Sequence, residues 1–156
     1  MNRRDFIISS AIVGSAALYG AEDSKELQVL ESIINIMFPE NRYLPSAKES
    51  GMMRYLLELL NDKNFDKIDK NALLEGAKKI EQENNFMSKN IKEQQEILSI
   101  FLQTRYGERW CSLLLYYCIE GLLGDPIYGG NKYGVGWSAL KHKHGIPRPK
   151  KRWGEI

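Results

Sequence analysis

The chain has 156 residues, 43% of them hydrophobic, with 22 Lys/Arg against 20 Asp/Glu. That length holds a single domain, the apolar share excludes wholesale disorder, and a net charge of +2 gives no global reason to expect nucleic acid as a partner. The charge is unevenly placed: residues 141–156 carry Lys141, Lys143, Arg148, Lys150, Lys151 and Arg152 against Glu155 alone, whereas residues 22–140 hold 14 Lys/Arg against 18 Asp/Glu.

The N-terminus reads Asn2-Arg3-Arg4-Asp5-Phe6-Ile7-Ile8. Paired arginines, one intervening residue, then Phe6 and aliphatics form a twin-arginine export signal. The apolar run that follows, Ile7 to Leu18, spans about 12 residues or roughly 18 Å as a helix, too short for a hydrocarbon core of about 30 Å. Charge, short apolar run and small residues in that order are the secretory pattern. Neither Leu18-Tyr19-Gly20 nor Tyr19-Gly20-Ala21 is a good small-x-small triplet. We place cleavage near residue 21, with retention as an uncleaved anchor as the alternative. The expected organisation is a signal segment at 1–21, a helical domain at 22–140 and a basic tail at 141–156.

Five helices are expected in chain order. Leu27, Leu30, Ile33, Ile34, Met37 and Phe38 form a helical stripe over 23–38, opened by the acids Asp23 and Glu26 and ended by Pro39. Ser46 with Glu49 is a capping box directly after Pro45, and the helix it opens runs to Leu60 on Ala47, Met52 or Met53, Leu56, Leu59 and Leu60. Asn61 to Asp69 reads as a polar loop in which Phe65 and Ile68 are the buried residues. The third helix runs from about Asn71 to Asn84, the fourth from about Asn90 to Thr104. Gly107 breaks the pattern, and the fifth runs from Glu108 to about Leu123. This last helix is apolar on most sides, as a central or partner-covered helix is. No segment alternates as a strand does, so the fold class is all-α.

Residues 121–137 change character, with six glycines, one proline and three large aromatics. They cannot form a regular helix. They suit an ordered loop in which glycines permit positive φ and aromatics act as anchors. The tail beyond Leu140, with Pro147 and Pro149, is expected to be extended over a surface.

Few residues here arrange into recognised chemistry. His142 and His144 alternate along an extended tail and lack the further ligands a structural zinc site needs. Haem-attachment and iron–sulfur spacings are absent from the sequence, as is a G-x-S-x-G elbow. The glycine loop has neither the preceding strand nor the G-K-[ST] ending of a phosphate cradle. Cys111 and Cys118 lie on one helix about 10 Å apart, out of reach of each other. Two readings stand for them: small core residues, or a disulfide from one of them to another subunit. The basic tail suits an anionic lipid surface or an acidic partner.

The run Glu120-Gly121, then Asp125-Pro126-Ile127-Tyr128-Gly129-Gly130-Asn131, then Gly134-Val135-Gly136-Trp137 resembles the hallmark of the gluconate 2-dehydrogenase subunit 3 family. Phe38-Pro39, Pro45-Ser46-Ala47, Gly51 and the twin-arginine start are similar to that family too, so the likeness covers nearly the whole chain. The resemblance implies a small, non-catalytic subunit of a membrane-associated, FAD-dependent sugar or sugar-acid dehydrogenase. This chain would carry no cofactor. FAD would sit in a large GMC-type flavoprotein subunit, and electrons would pass to a cytochrome c subunit or to quinone. The signal at Arg3, Arg4 and Phe6 would then engage the twin-arginine translocase and bring the flavoprotein to the periplasmic side of the inner membrane. Asp125, Pro126, Tyr128, Gly129, Gly130, Asn131, Gly136 and Trp137 are the partner-binding candidates. Two other readings compete: a self-sufficient periplasmic enzyme using Asp125, Tyr128 and His142, and a membrane-retained adaptor with an uncleaved N-terminal helix.

Overall fold

The computed structural model describes residues 24–152. Arg3, Arg4, Phe6 and the rest of the signal segment lie outside the described residues, as does Asp23. Among the described residues there are seven α-helices and no strand. They are α1 Lys25–Met37, α2 Ala47–Ser50, α3 Met52–Asn61, α4 Lys67–Asn84, α5 Ile91–Leu102, α6 Arg105–Leu123 and α7 Val135–Ala139.

Local capping sets most of the boundaries. Ser24, not the flanking acids, caps α1 by accepting from the Leu27 amide. The capping box at Ser46 and Glu49 forms as expected, but the helix it opens is divided. Gly51 sits at φ 73°, ψ 29° between α2 and α3, a left-handed conformation that ends one helix and redirects the chain into the next. The Asp66 carboxylate accepts from the Ile68 and Asp69 amides, so α4 starts at Lys67, a turn earlier than periodicity indicates. Ile68 is consequently a first-turn residue and 78% exposed, not buried. Asn90 and Glu93 form a second capping box on α5. Thr104 caps α6 through the Gly107 amide. Gly107 therefore lies inside the helix, where a Cβ would come 2.0 Å from the Phe101 carbonyl oxygen. Its lack of a side chain allows α5 and α6 to join closely.

The core is built where α1 crosses α4 and α6 runs between α3, α4 and α5. Val29, Leu30, Ile33 and Ile34 of α1 meet Leu73, Ala77 and Ile80 of α4 in one buried cluster, with Leu56, Leu98, Trp110 and Leu114. Each such aliphatic side chain contributes about 1.5–3 kcal/mol by leaving water. The Trp110 indole N–H donates to the Ala72 and Leu73 carbonyls at 3.1 and 3.2 Å, so its polar edge is satisfied inside the core. Glu81 is buried but paired with Lys25 at 2.6 Å and with the Met87 amide. Helix α6 is central as its sequence suggests, yet not covered all round. Trp110, Leu114 and Cys118 face inward, while Leu115, Tyr116, Ile119 and Leu123 remain between 37% and 57% exposed. No described helix is long and apolar enough to cross a membrane.

Candidate functional site

The glycine and aromatic segment after α6 is not a featureless loop. It holds two 3₁₀ turns, Pro126–Tyr128 and Lys132–Gly134, followed by α7. Asp125 caps the first turn by accepting from the Ile127 amide at 3.0 Å, with Pro126 at the first helical position. Pro has no amide to lose there and its φ is already set for the turn.

Asn131 is the centre of the segment. It is fully buried and left-handed at φ 44°, ψ 45°, a conformation Asn tolerates better than most residues. Its side-chain amide donates to the Gly124 carbonyl at 2.8 Å, and its carbonyl oxygen accepts from the Gly136 amide at 2.8 Å. One side chain thus ties the start of the segment to α7. The neighbouring glycines make this approach geometrically feasible. A Cβ on Gly130 would sit 2.2 Å from the Gly121 carbonyl oxygen, and one on Gly136 would sit 2.0 Å from that of Leu122. The loop therefore lies directly on the α6 backbone.

Trp137 closes the other side. Its indole N–H donates to the Leu123 carbonyl at 2.6 Å, satisfying one of the orphan acceptors at the α6 C-terminus. The tail then returns over the loop. The His142 amide donates to the Trp137 carbonyl, and the His144 ring lies 4.9 Å from the indole. Arg148 forks onto Asp125, Nε to Oδ2 at 2.9 Å and a terminal nitrogen to Oδ1 at 2.8 Å. Arg152 Nε donates to the Ile127 carbonyl at 2.7 Å, and its guanidinium pairs with Glu58 of α3 at 2.6 Å. Glu58 also meets Arg54 at 3.1 Å. The Arg148 guanidinium holds the Asp125 carboxyl below the ordinary carboxylate range, partial burial opposes this, and the Ile127 amide adds to it.

These contacts locate every loop residue singled out from the sequence. Asp125, Gly130, Asn131, Gly136 and Trp137 are joined in one unit, in which the Asp125, Asn131 and Trp137 side chains and the Gly136 amide are hydrogen-bonded within the chain and Gly130 lies against Gly121. Pro126, Tyr128 and Gly129 form and end the first 3₁₀ turn and are partly exposed. Asp125, Tyr128 and His142 are not linked to one another by any hydrogen bond among the described residues, and both Asp125 oxygens face Arg148. Cys111 and Cys118 are free and buried. Burial pushes the Cys111 thiol up to about 11 and that of Cys118 to about 12. Among the described residues, no group of three or more His, Cys, Asp and Glu is placed to hold a metal ion.

Sequence reasoning missed Glu58, Arg148 and Arg152 as partners of the loop. The opposed charges of body and tail were the signal available, since a basic tail after an acidic domain has somewhere to fold back.

The fold and this self-bonded segment define a small all-α domain closed by its own tail. The family model for gluconate 2-dehydrogenase subunit 3 matches residues 24–145, and the chain belongs to that family. Membership makes it one subunit of a multi-subunit dehydrogenase, which implies partner subunits. Arg148 and Arg152, which brace the loop, lie beyond the matched region. No curated protein and no solved structure matches the chain.

Proposed function

We propose that this chain is the non-catalytic small subunit of a periplasmic, membrane-associated, FAD-dependent dehydrogenase of gluconate or a related sugar acid. In this reading it binds and stabilises a large flavoprotein subunit and carries it through the twin-arginine pathway. The observation that carries the reading is the family match over 24–145 behind an N-terminal Arg3-Arg4 pair. The loop geometry supports it. Asp125 and Asn131, the polar residues of the family-like run, are bonded to Arg148, Gly124 and Gly136, so their chemistry serves the shape of a subunit. The flavin and the hydride chemistry it supplies belong to the partner. Substrate specificity lies there too.

The test is fractionation with a double substitution, Arg3→Lys and Arg4→Lys. Both this chain and the flavoprotein should then stay in the cytoplasm. Arrival of the flavoprotein in the periplasm without the paired arginines would end the escort reading.

A further inference from the structure

Within the self-bonded segment, two residues point the other way. Tyr133 has φ 57° and ψ 16°, a left-handed backbone that bulky residues rarely adopt, and its ring is 87% exposed. Lys132 Nζ lies 5.3 Å from the ring centre. The fold thus accepts a strained tyrosine and buries almost none of it, and strain of this kind persists where surrounding structure imposes it. Here Asn131 and Gly134 impose it, through the Gly134 amide bonded to the Asn131 carbonyl at 2.7 Å.

A second pair of the same composition stands across a groove. Tyr43 is 68% exposed, and the Arg42 guanidinium lies 4.7 Å from its ring centre. Its turn is fixed by the Asn41 side-chain oxygen Oδ1, which accepts from the Tyr43 and Leu44 amides at 2.8 and 3.0 Å. The groove between the pairs has a volume of about 520 Å³, with Leu44, Pro45 and Val135 supplying apolar lining. Glu49 also lines it, but its carboxylate is held by the Ser46 amide and hydroxyl at 2.7 and 2.8 Å. Neither Arg42 nor Lys132 meets a carboxylate among the described residues. The Ser46 donors hold Glu49 in its charged form, so Arg42 and Lys132 against Glu49 leave the groove lining at a net charge of +1.

We propose that this groove is the docking surface for the flavoprotein subunit, and that the segment it receives carries carboxylates flanked by apolar side chains. The proposal rests on the small-subunit reading above and replaces its list of contact residues. The family-like run builds the platform, and Arg42, Tyr43, Lys132 and Tyr133 make the contact. Exposed tyrosine and arginine beside an apolar depression is the composition that dominates binding energy at protein interfaces. The two cations select an acidic partner by complementarity.

The test uses the complex co-purified with its FAD-containing subunit, dissociated by dilution and counted by mass photometry. Tyr43→Ala and Tyr133→Ala should each weaken it about 30-fold or more, as hot-spot losses do. Lys132→Glu should weaken it about tenfold at low salt and less at high salt, because screening removes the attraction. Ile100→Ala, exposed on α5, should change nothing. Tyr133→Asn separates docking from folding: Asn suits the left-handed backbone, so the melting temperature should hold or rise while the complex weakens. Unchanged dissociation in both tyrosine variants overturns the groove and leaves the small-subunit reading intact. A wild-type chain that brings down no flavoprotein overturns that reading and the groove with it. If the tyrosine variants instead abolish self-association of the chain, or its binding to phosphatidylglycerol vesicles, while the flavoprotein complex is unaffected, the groove belongs to another occupant and the proposal fails.

Discussion

Arg148 reaches back 23 residues to grip Asp125 with two parallel N–H···O bonds, and the same guanidinium lies 5.3 Å from the centre of the Trp137 ring. The contact fixes a carboxylate that also caps the turn at Ile127, so the tail and the loop hold each other. A forked arginine–carboxylate pair has more directional specificity than a single surface ion pair. It joins Asp125, inside the matched region, to Arg148, beyond its end at residue 145.

That brace gives a pH dependence with a defined sign. The Asp125 carboxyl titrates below its unfolded value, chiefly because of Arg148. Its contribution to stability is therefore complete above the unfolded carboxyl range of about 3.9 and is lost as pH falls through the lower, folded value. The urea midpoint should drop over that acid interval, and Asp125→Asn should flatten the drop. An unaltered acid limb in the variant would show that Asp125 does not contribute.

Asn131 should be the most sensitive polar residue of the loop. Replacement by Ala removes both ends of its bridge, strands the Gly136 amide in a buried place and puts Ala into a left-handed backbone. Buried unsatisfied groups cost about 1–3 kcal/mol each. A loss of about 2–4 kcal/mol in chemical denaturation is expected. A loss below about 1 kcal/mol would mean that water or the backbone substitutes freely for the amide.

Gly130→Ala tests the close approach to α6. The added methyl meets the Gly121 carbonyl oxygen at 2.2 Å, and neither backbone can yield without lifting the loop. Overpacking of this kind costs about 1–3 kcal/mol. Hydrogen exchange should report faster opening over residues 124–137, with the α1–α4 core unchanged.

Trp137→Phe retains a ring but removes the donor to the Leu123 carbonyl, a change worth about 1–2 kcal/mol at a buried site. Trp137→Ala adds a cavity and should cost about 3–5 kcal/mol. Thermal unfolding of both variants separates the two contributions. Equal losses would assign the whole effect to the lost hydrogen bond, which both variants share.

The cysteines should be silent in the folded protein. Buried thiols titrating near 11 and 12 supply little thiolate at neutral pH. Reaction with a disulfide reagent should await denaturant. Prompt reaction of one thiol in the native chain would revive a bridge from Cys111 or Cys118 to another subunit, which their burial in the α6 core disfavours.

The sequence by itself determined the all-α class, the Ser46–Glu49 box, most of the core stripe and the family to which the run from Asp125 to Trp137 points. These are local properties. Caps act within about four residues, and helical periodicity repeats every 3.6. The break at Gly51 and the early start at Lys67 also rest on local signals, a left-handed glycine and a capping Asp66, that override the apolar periodicity around them. Tertiary structure alone decided that Asp125 faces Arg148, that Asn131 joins Gly124 to Gly136, and that Tyr133 is turned outward across a groove from Tyr43. Asp125 meets Arg148 across 23 residues, and the Asn131 amide reaches Gly124 and Gly136 only because the segment between them is folded onto the α6 backbone. No local rule carries that distance, so the loop's composition was legible and its orientation was not.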